Sequence, residues 1–137
     1  MAYSTAHEPV AYSDADLPTA SDVITLFREA GLNGPLEEPE RVAQMLVAAQ
    51  LVITARVQGQ LIGLIRVLTD FAFNAFVADL AVSPTFQGKG IGTELLARAT
   101  ANNDRVKYVL QTQDAAGFYL RNGFTKAEHC YVRMRKS

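Results

Sequence analysis

Gln87-Gly88-Lys89-Gly90-Ile91-Gly92 is a run of glycines with one cation, set between a strand-like stretch and a helix-like one. Ala75 to Val82 leads into it through the turn Ser83-Pro84-Thr85, and Ile91, Leu95, Leu96 and Ala99 recur at helical spacing after it. The first N–H groups of such a helix have no intrahelical partner and lie at the positive end of its macrodipole, so the run reads as a phosphate cradle. Glycine suits it because a Cβ would hinder close approach of phosphate oxygens. Spacing excludes two better-known glycine loops. A P-loop needs Ser or Thr after Gly-Lys, and here Gly90 follows Lys89; the dinucleotide fingerprint would need glycine where Thr93 stands. Elsewhere the reactive residue types are scattered. His7 and His129 are far apart, and His129-Cys130 is an isolated pair without metal-ligand spacing, so no metal is expected. No G-x-S-x-G elbow occurs, and Cys130 sits in an alternating stretch that reads as a strand with an inert buried thiol, so a covalent acyl-enzyme is not expected.

The pattern that does fit is Gln/Arg-x-x-Gly-x-Gly/Ala, met by Gln87, Gly90 and Gly92 and preceded by Leu80-x-Val82-x-Pro84. It resembles the coenzyme-A pyrophosphate loop of the GCN5-related N-acetyltransferases, the GNAT superfamily. A second segment agrees: Ala115-Ala116-Gly117-Phe118-Tyr119-Leu120-Arg121-Asn122-Gly123-Phe124 is similar to that family's A-x-x-F-Y-x-x-x-G-F.

The resemblance implies acetyl-CoA as donor, held by the backbone from Gln87 to Gly92 with Lys89, Thr93 and Phe118 nearby. It implies that the main chain of Leu80, Ala81 and Val82 pairs with pantetheine as an added strand and polarises the thioester carbonyl. Tyr119 would face the sulfur, and a phenol with a pKa of about 10 is protonated at neutral pH and able to donate to a departing thiolate; a core aromatic is the alternative. For the base, lysine-modifying relatives use a Glu on the fourth strand where this chain has Phe76. Asp79 is the substitute, provided a strand bulge turns it toward the cleft, and a solvated or capping carboxylate is the alternative. An alkylamine is neutral in only about one molecule in 2,500 at pH 7, a handicap of roughly 4.6 kcal/mol, whereas an arylamine would need no base. For the acceptor pocket the resemblance points to Phe27, Leu32, Asn33 and the segment Arg66 to Phe73, with Asp70 as an anchor for an amine and Phe71 and Phe73 as apolar walls; an ordinary hairpin turn with core aromatics reads equally well.

These groups need elements to position them. Thr19 to Asp22 resembles a capping box, Val23, Ile24, Phe27 and Ala30 form one stripe, and Gly31 can end that helix. A second helix starts near Pro39 with Val42, Met45, Leu46 and Ala49 on one face. Leu51 to Val57 and Leu61 to Thr69 read as a hairpin about Gln58-Gly59-Gln60, and Ala75 to Val82 continues the meander. Val106 to Gln111, a short helix at Phe118-Tyr119 and two closing strands, Thr125 to Ala127 and Cys130 to Met134, complete the order after a short strand at Val10 to Tyr12. This matches the GNAT arrangement: an α+β fold with a mostly antiparallel sheet of six to seven strands, about four helices, and fourth and fifth strands splayed for CoA.

The whole chain suits one domain over residues 1–137 with a mobile start of about eight residues. At 49% hydrophobic and 20% charged it is globular in composition, and no apolar run approaches the ~20 residues of a membrane span. The lone Cys130 and the lack of a signal-like start make a cytoplasmic setting the default. A net charge of −1 argues against a nucleic-acid partner. Residues 1–60 hold three Arg/Lys against eight Asp/Glu while 61–137 hold ten against six, which suits a CoA donor on the positive half and a cationic amine facing the acidic one. The expected function is N-acetylation of a primary amine, of a small molecule first and of a protein lysine or N-terminus as the alternative; a non-catalytic CoA-binding domain is a third reading. The alternating tail leaves either a monomer or a homodimer open.

Overall fold

Helix α1, Ala20–Ala30, starts where its cap falls: Thr19 Oγ1 accepts the Asp22 N–H at 3.1 Å, and Gly31, at φ 74°, ends it. Helix α2, Pro39–Ala48, opens on its proline. Strand β1 is Ala11–Ser13, and β2, Leu51–Val57, turns into β3, Gln60–Thr69, through Gln58 and Gly59. Both turn residues have positive φ, 50° and 81°, the pairing that matches the twist of two-residue hairpins. Strand β4, Asn74–Val82, leads through a 3₁₀ turn at Pro84–Phe86 into helix α3, Ile91–Thr100; β5, Lys107–Val109, and α4, Ala116–Arg121, follow. The computed structural model describes residues 9–101 and 103–136, so the expected mobile start, with His7, lies outside the described residues.

The sheet runs β1-β2-β3-β4-β5, antiparallel except for the parallel β4–β5 pair. Helices α1 and α2 cover one face with Val23, Phe27, Val42 and Leu46 packed on Leu64 and Ala81. Helix α3 covers the other, with Leu95 and Leu96 among Ile62, Ile65, Val67 and Val77. Gly63 lets α3 come close: a Cβ there would stand 3.2 Å from a Leu95 methyl and 3.3 Å from Ala55 Cβ.

The α+β class is the one expected, but the strand count is corrected to five among the described residues. Neither 125–127 nor 130–134 forms a strand; Tyr131 is 95% exposed and Met134 68%, and Cys130 is exposed rather than buried. Alternation says which face each side chain of a strand would take, not which edge it joins. The three-residue β5 offers a sixth strand almost no ladder.

One irregularity positions the site. Arg66 pairs with Asp79 but Val67 pairs with Val77, so Ala78 is an extra residue in β4, a β-bulge. Before it, Ala75 and Val77 point into the α3-side core; beyond it Leu80 and Val82 do, and Ala81 packs with α1 and α2. The reversal takes Asp79 off the α3 side and sets it opposite Arg66.

Candidate active site

Strands β4 and β5 share only Asn74–Phe76 against Lys107–Val109, and then part. Between them lies a cleft of about 1650 Å³, with Ala78, Asp79, Leu80 and Val82 on one wall and Gln111 to Ala115 on the other. The Ser83 N–H donates to the Ile62 carbonyl at 2.8 Å, so Ile62 and Ser83 form a hydrogen-bonded pair of the β3–β4 ladder. Antiparallel pairs alternate, which makes Gly63–Val82 and Ile65–Leu80 the non-hydrogen-bonded ones. Leu80 and Val82 therefore turn their main-chain groups away from β3 toward the cleft, while those of Ala81 face β3. The Val82 carbonyl accepts from Gln87 Nε2 at 2.9 Å, tying the glycine loop to the strand.

At the α3 end of the cleft, Gly88 and Gly90 have φ of 77° and 84°, a conformation that L side chains rarely adopt. A Cβ on either would meet nothing within 4 Å, so backbone conformation, not crowding by the protein, selects glycine there. Helix α3 has no side-chain cap, and its first return bond runs from the Glu94 N–H to the Gly90 carbonyl at 3.0 Å. That leaves the amides of Ile91, Gly92 and Thr93 at the open end of the helix, and these residues line the cleft. Lys89 is exposed and off the lining. Gly92 has a packing reason instead: its Cβ would lie 3.3 Å from Phe118 Cζ, and Phe118 also lines the cleft.

The cleft then passes round the open edge of β4 to the other sheet face, where the loop Gly31 to Pro35, Glu38, Arg41 and Met45 of the α1–α2 layer meet Arg66, Phe76 and Asp79. Arg66 Nε donates to Asp79 Oδ2 at 2.6 Å, with the two side chains only 12% and 11% exposed. Burial pushes the Asp79 carboxyl above its ordinary value, and the charge and hydrogen bond of Arg66 pull it part of the way back.

Tyr119 stands behind this wall, off the lining, edge-on to Phe118 at 5.0 Å and to Phe124 at 5.6 Å. Burial raises its pKa, so the phenol stays protonated. Its hydroxyl bonds to no described residue, and no described side-chain polar atom is both buried and unpaired, so that hydroxyl reaches solvent.

Four residues expected at an acceptor pocket are elsewhere. Phe27, 1% exposed, is core, because the α1 stripe packs inward on the sheet. Asp70 caps its own loop: Oδ1 accepts the N–H groups of Ala72, Phe73 and Asn74 at 2.8, 2.8 and 3.1 Å. Phe71 and Phe73, on that loop, are 54% and 70% exposed and not on the cleft. Nor does the acidic half of the chain make an acidic acceptor end, since Glu38 pairs with Arg41 at 3.2 Å.

The acetyltransferase (GNAT) domain model matches residues 47–126, more than half of the chain. The chain belongs to the GNAT acetyltransferase family. Solved structures agree in fold. A Staphylococcus aureus protein superposes with a TM-score of 0.80 at 24% identity, over 94% of this chain and 99% of that one. A Deinococcus radiodurans protein gives 0.77 at 27%, over 97% and 93%. A GNAT family acetyltransferase of Brucella melitensis, solved in complex with acetyl-CoA, gives 0.67 at 22%, over 88% and 85%.

Within this GNAT domain several cleft residues take no role from the sequence motifs: Arg41, Gln111, Arg121, Asn122 and Arg135. Arg66 sits in an apolar β3 run, where a lone arginine among Ile65, Val67 and Leu68 marks a partner across the strand. That signal was available; the identity of the partner depended on the bulge.

Proposed function

We propose that the protein is an acetyl-CoA-dependent N-acetyltransferase acting on the primary amine of a small molecule by direct attack in a ternary complex. The observation that carries this reading is the course of the cleft: it runs from the uncapped start of α3, along the free edge of β4, to the Arg66–Asp79 pair on the opposite sheet face. Acetyl-CoA supplies a diphosphate and an activated thioester. The amides of Gly88, Gly90, Ile91, Gly92 and Thr93 suit the diphosphate, and the N–H groups of Leu80 and Val82 with the Leu80 carbonyl suit an amide-bearing arm laid beside β4. In this reading the Leu80 N–H polarises the thioester carbonyl.

The amine reaches the cleft as an ammonium, and Asp79, directly or through a water, takes its proton. The nitrogen lone pair attacks the acyl carbon; the C–N bond forms and the C–S bond breaks, its electron pair leaving on sulfur. The acylated nitrogen releases its second proton to solvent, and the thiolate takes one from the Tyr119 hydroxyl by way of a water, since α4 carries that ring behind Phe118 and off the cleft lining. A small acceptor suits the cleft because the loop Gly31 to Pro35 and Arg41 and Met45 of α2 wall the end where the amine must enter.

The test is release of free CoA from acetyl-CoA across an amine panel, with mass spectrometry of the product. Acetylated small amines support the reading. Acetylation confined to a protein lysine or N-terminus overturns the acceptor, and CoA binding without turnover on any amine overturns the enzyme.

A further inference from the structure

Arg66 is used on one edge only. Its Nε holds Asp79, while Nη1 and Nη2 bond to no described residue. Since no described side-chain nitrogen is both buried and unpaired, and Arg66 lines the cleft, these N–H donors open onto it. An arginine whose side chain is 12% exposed, with half its fork unspent, is an anchor fixed in place by strand register and by its ion pair. A planar guanidinium edge of this kind matches a carboxylate by two parallel hydrogen bonds.

The neighbour completes the match. Asp79 lies 2.6 Å from the same guanidinium and one residue before Leu80, whose main chain faces the cleft. A cation and an anion held side by side mirror the ammonium and carboxylate of a zwitterion. We propose, resting on the transferase reading above, that the acceptor is an amino acid: the free edge of Arg66 takes its carboxylate, and its amine is thereby set beside Asp79 and Leu80. Arg41, a second cation at that end, is engaged by Glu38 and is 44% exposed. Phe76 and Met45, which line the same end, suit an apolar side chain on that amino acid.

The experiment compares apolar amino acids with their primary amides and with the corresponding decarboxylated amines, at saturating acetyl-CoA. The amino acid should exceed both in kcat/KM by about tenfold or more, the scale of a charge-assisted bidentate contact. In Arg66→Met that ratio should collapse to near one whatever happens to the absolute rates, and Arg66→Lys, which keeps charge without the fork, should fall between. If Arg66→Met does not fold, the wild-type comparison decides alone. Equal use of all three members of each set overturns this proposal and leaves the transferase reading intact; acetylation of none of them, nor of any other amine, removes both.

Discussion

Asp70 and Tyr119 show how a single residue's surroundings decide what it can do. One oxygen of Asp70 accepts three backbone N–H groups, and these bonds hold its carboxyl below its ordinary value. A depressed folded pKa means a stabilising contribution that is present above the unfolded pKa and lost as pH falls through the folded one. Asp70→Asn keeps an acceptor oxygen and removes the titration, so its urea midpoint should fall less than the wild type's between pH about 5 and pH about 3. An equal fall in both proteins would show that Asp70 does not govern the acid limb. Asp79 works in the opposite sense: its raised pKa favours the protonated fold, so its contribution is full below the unfolded pKa and lost as pH rises through the folded one. For Tyr119, whose hydroxyl is protonated and unengaged by described residues, Tyr119→Phe removes one oxygen and keeps the ring contacts to Phe118 and Phe124. Turnover should drop by about a hundredfold with the acetyl-CoA KM within about twofold, the pattern of a lost proton donor. Turnover at the wild-type level would assign the proton to solvent.

At the scale of elements, the start of α3 is where the proposed donor site rests on backbone, and Gly90 sets its conformation. Its φ of 84° with open space at the Cβ position means that Gly90→Ala pays for conformation alone, about 1–2 kcal/mol. The variant should lose that much in denaturant unfolding and bind CoA more weakly by calorimetry, because relieving the strain re-aims the amides of Ile91 to Thr93. Unchanged affinity would separate the loop from the donor. The C-terminal stretch is the contrary case. With Tyr131 95%, Val132 55% and Met134 68% exposed, it buries little. Truncation after Ala127 should therefore leave the unfolding free energy within about 0.5 kcal/mol; a collapse of stability would establish a strand there in solution. These two segments also mark what the sequence could and could not disclose. Local signals were sufficient where the cause is local: Thr19 and Gly31 bound α1, Gln58-Gly59 makes the hairpin, and the glycine loop starts α3. The bulge at Ala78, the pairing of Arg66 with Asp79 and the fate of the tail depend on register between strands, which no window of one strand contains. Asp70 and Phe27 were misplaced for the same reason, since residue type named their chemistry and not the direction they face.

At the scale of the molecule, the sheet separates two cores, and the cleft joins them. One core packs α3 on the sheet and the other packs α1 and α2, and they meet only through the strands between them. The cleft runs round the β4 edge from the first to the second, so a donor bound as proposed, by α3 amides and Leu80, would contact the layer on which both cores depend. Such a ligand binds the folded state and not the unfolded chain, and at a hundred times its Kd it adds about 2.7 kcal/mol. For a domain of this size that corresponds to a rise in Tm of about 10 °C, seen by calorimetry as one transition moved bodily upward. Adenosine 3′-phosphate 5′-diphosphate, which keeps the diphosphate and lacks the pantetheine arm, should give a smaller rise, because it engages the cradle without the β4 edge. Two transitions, only one of them moved by CoA, would mean that the cores unfold independently and that the β4 edge does not couple them. A rise as large with this armless nucleotide as with CoA would place all the binding energy in the cradle and leave the parted strands without a part in holding the donor.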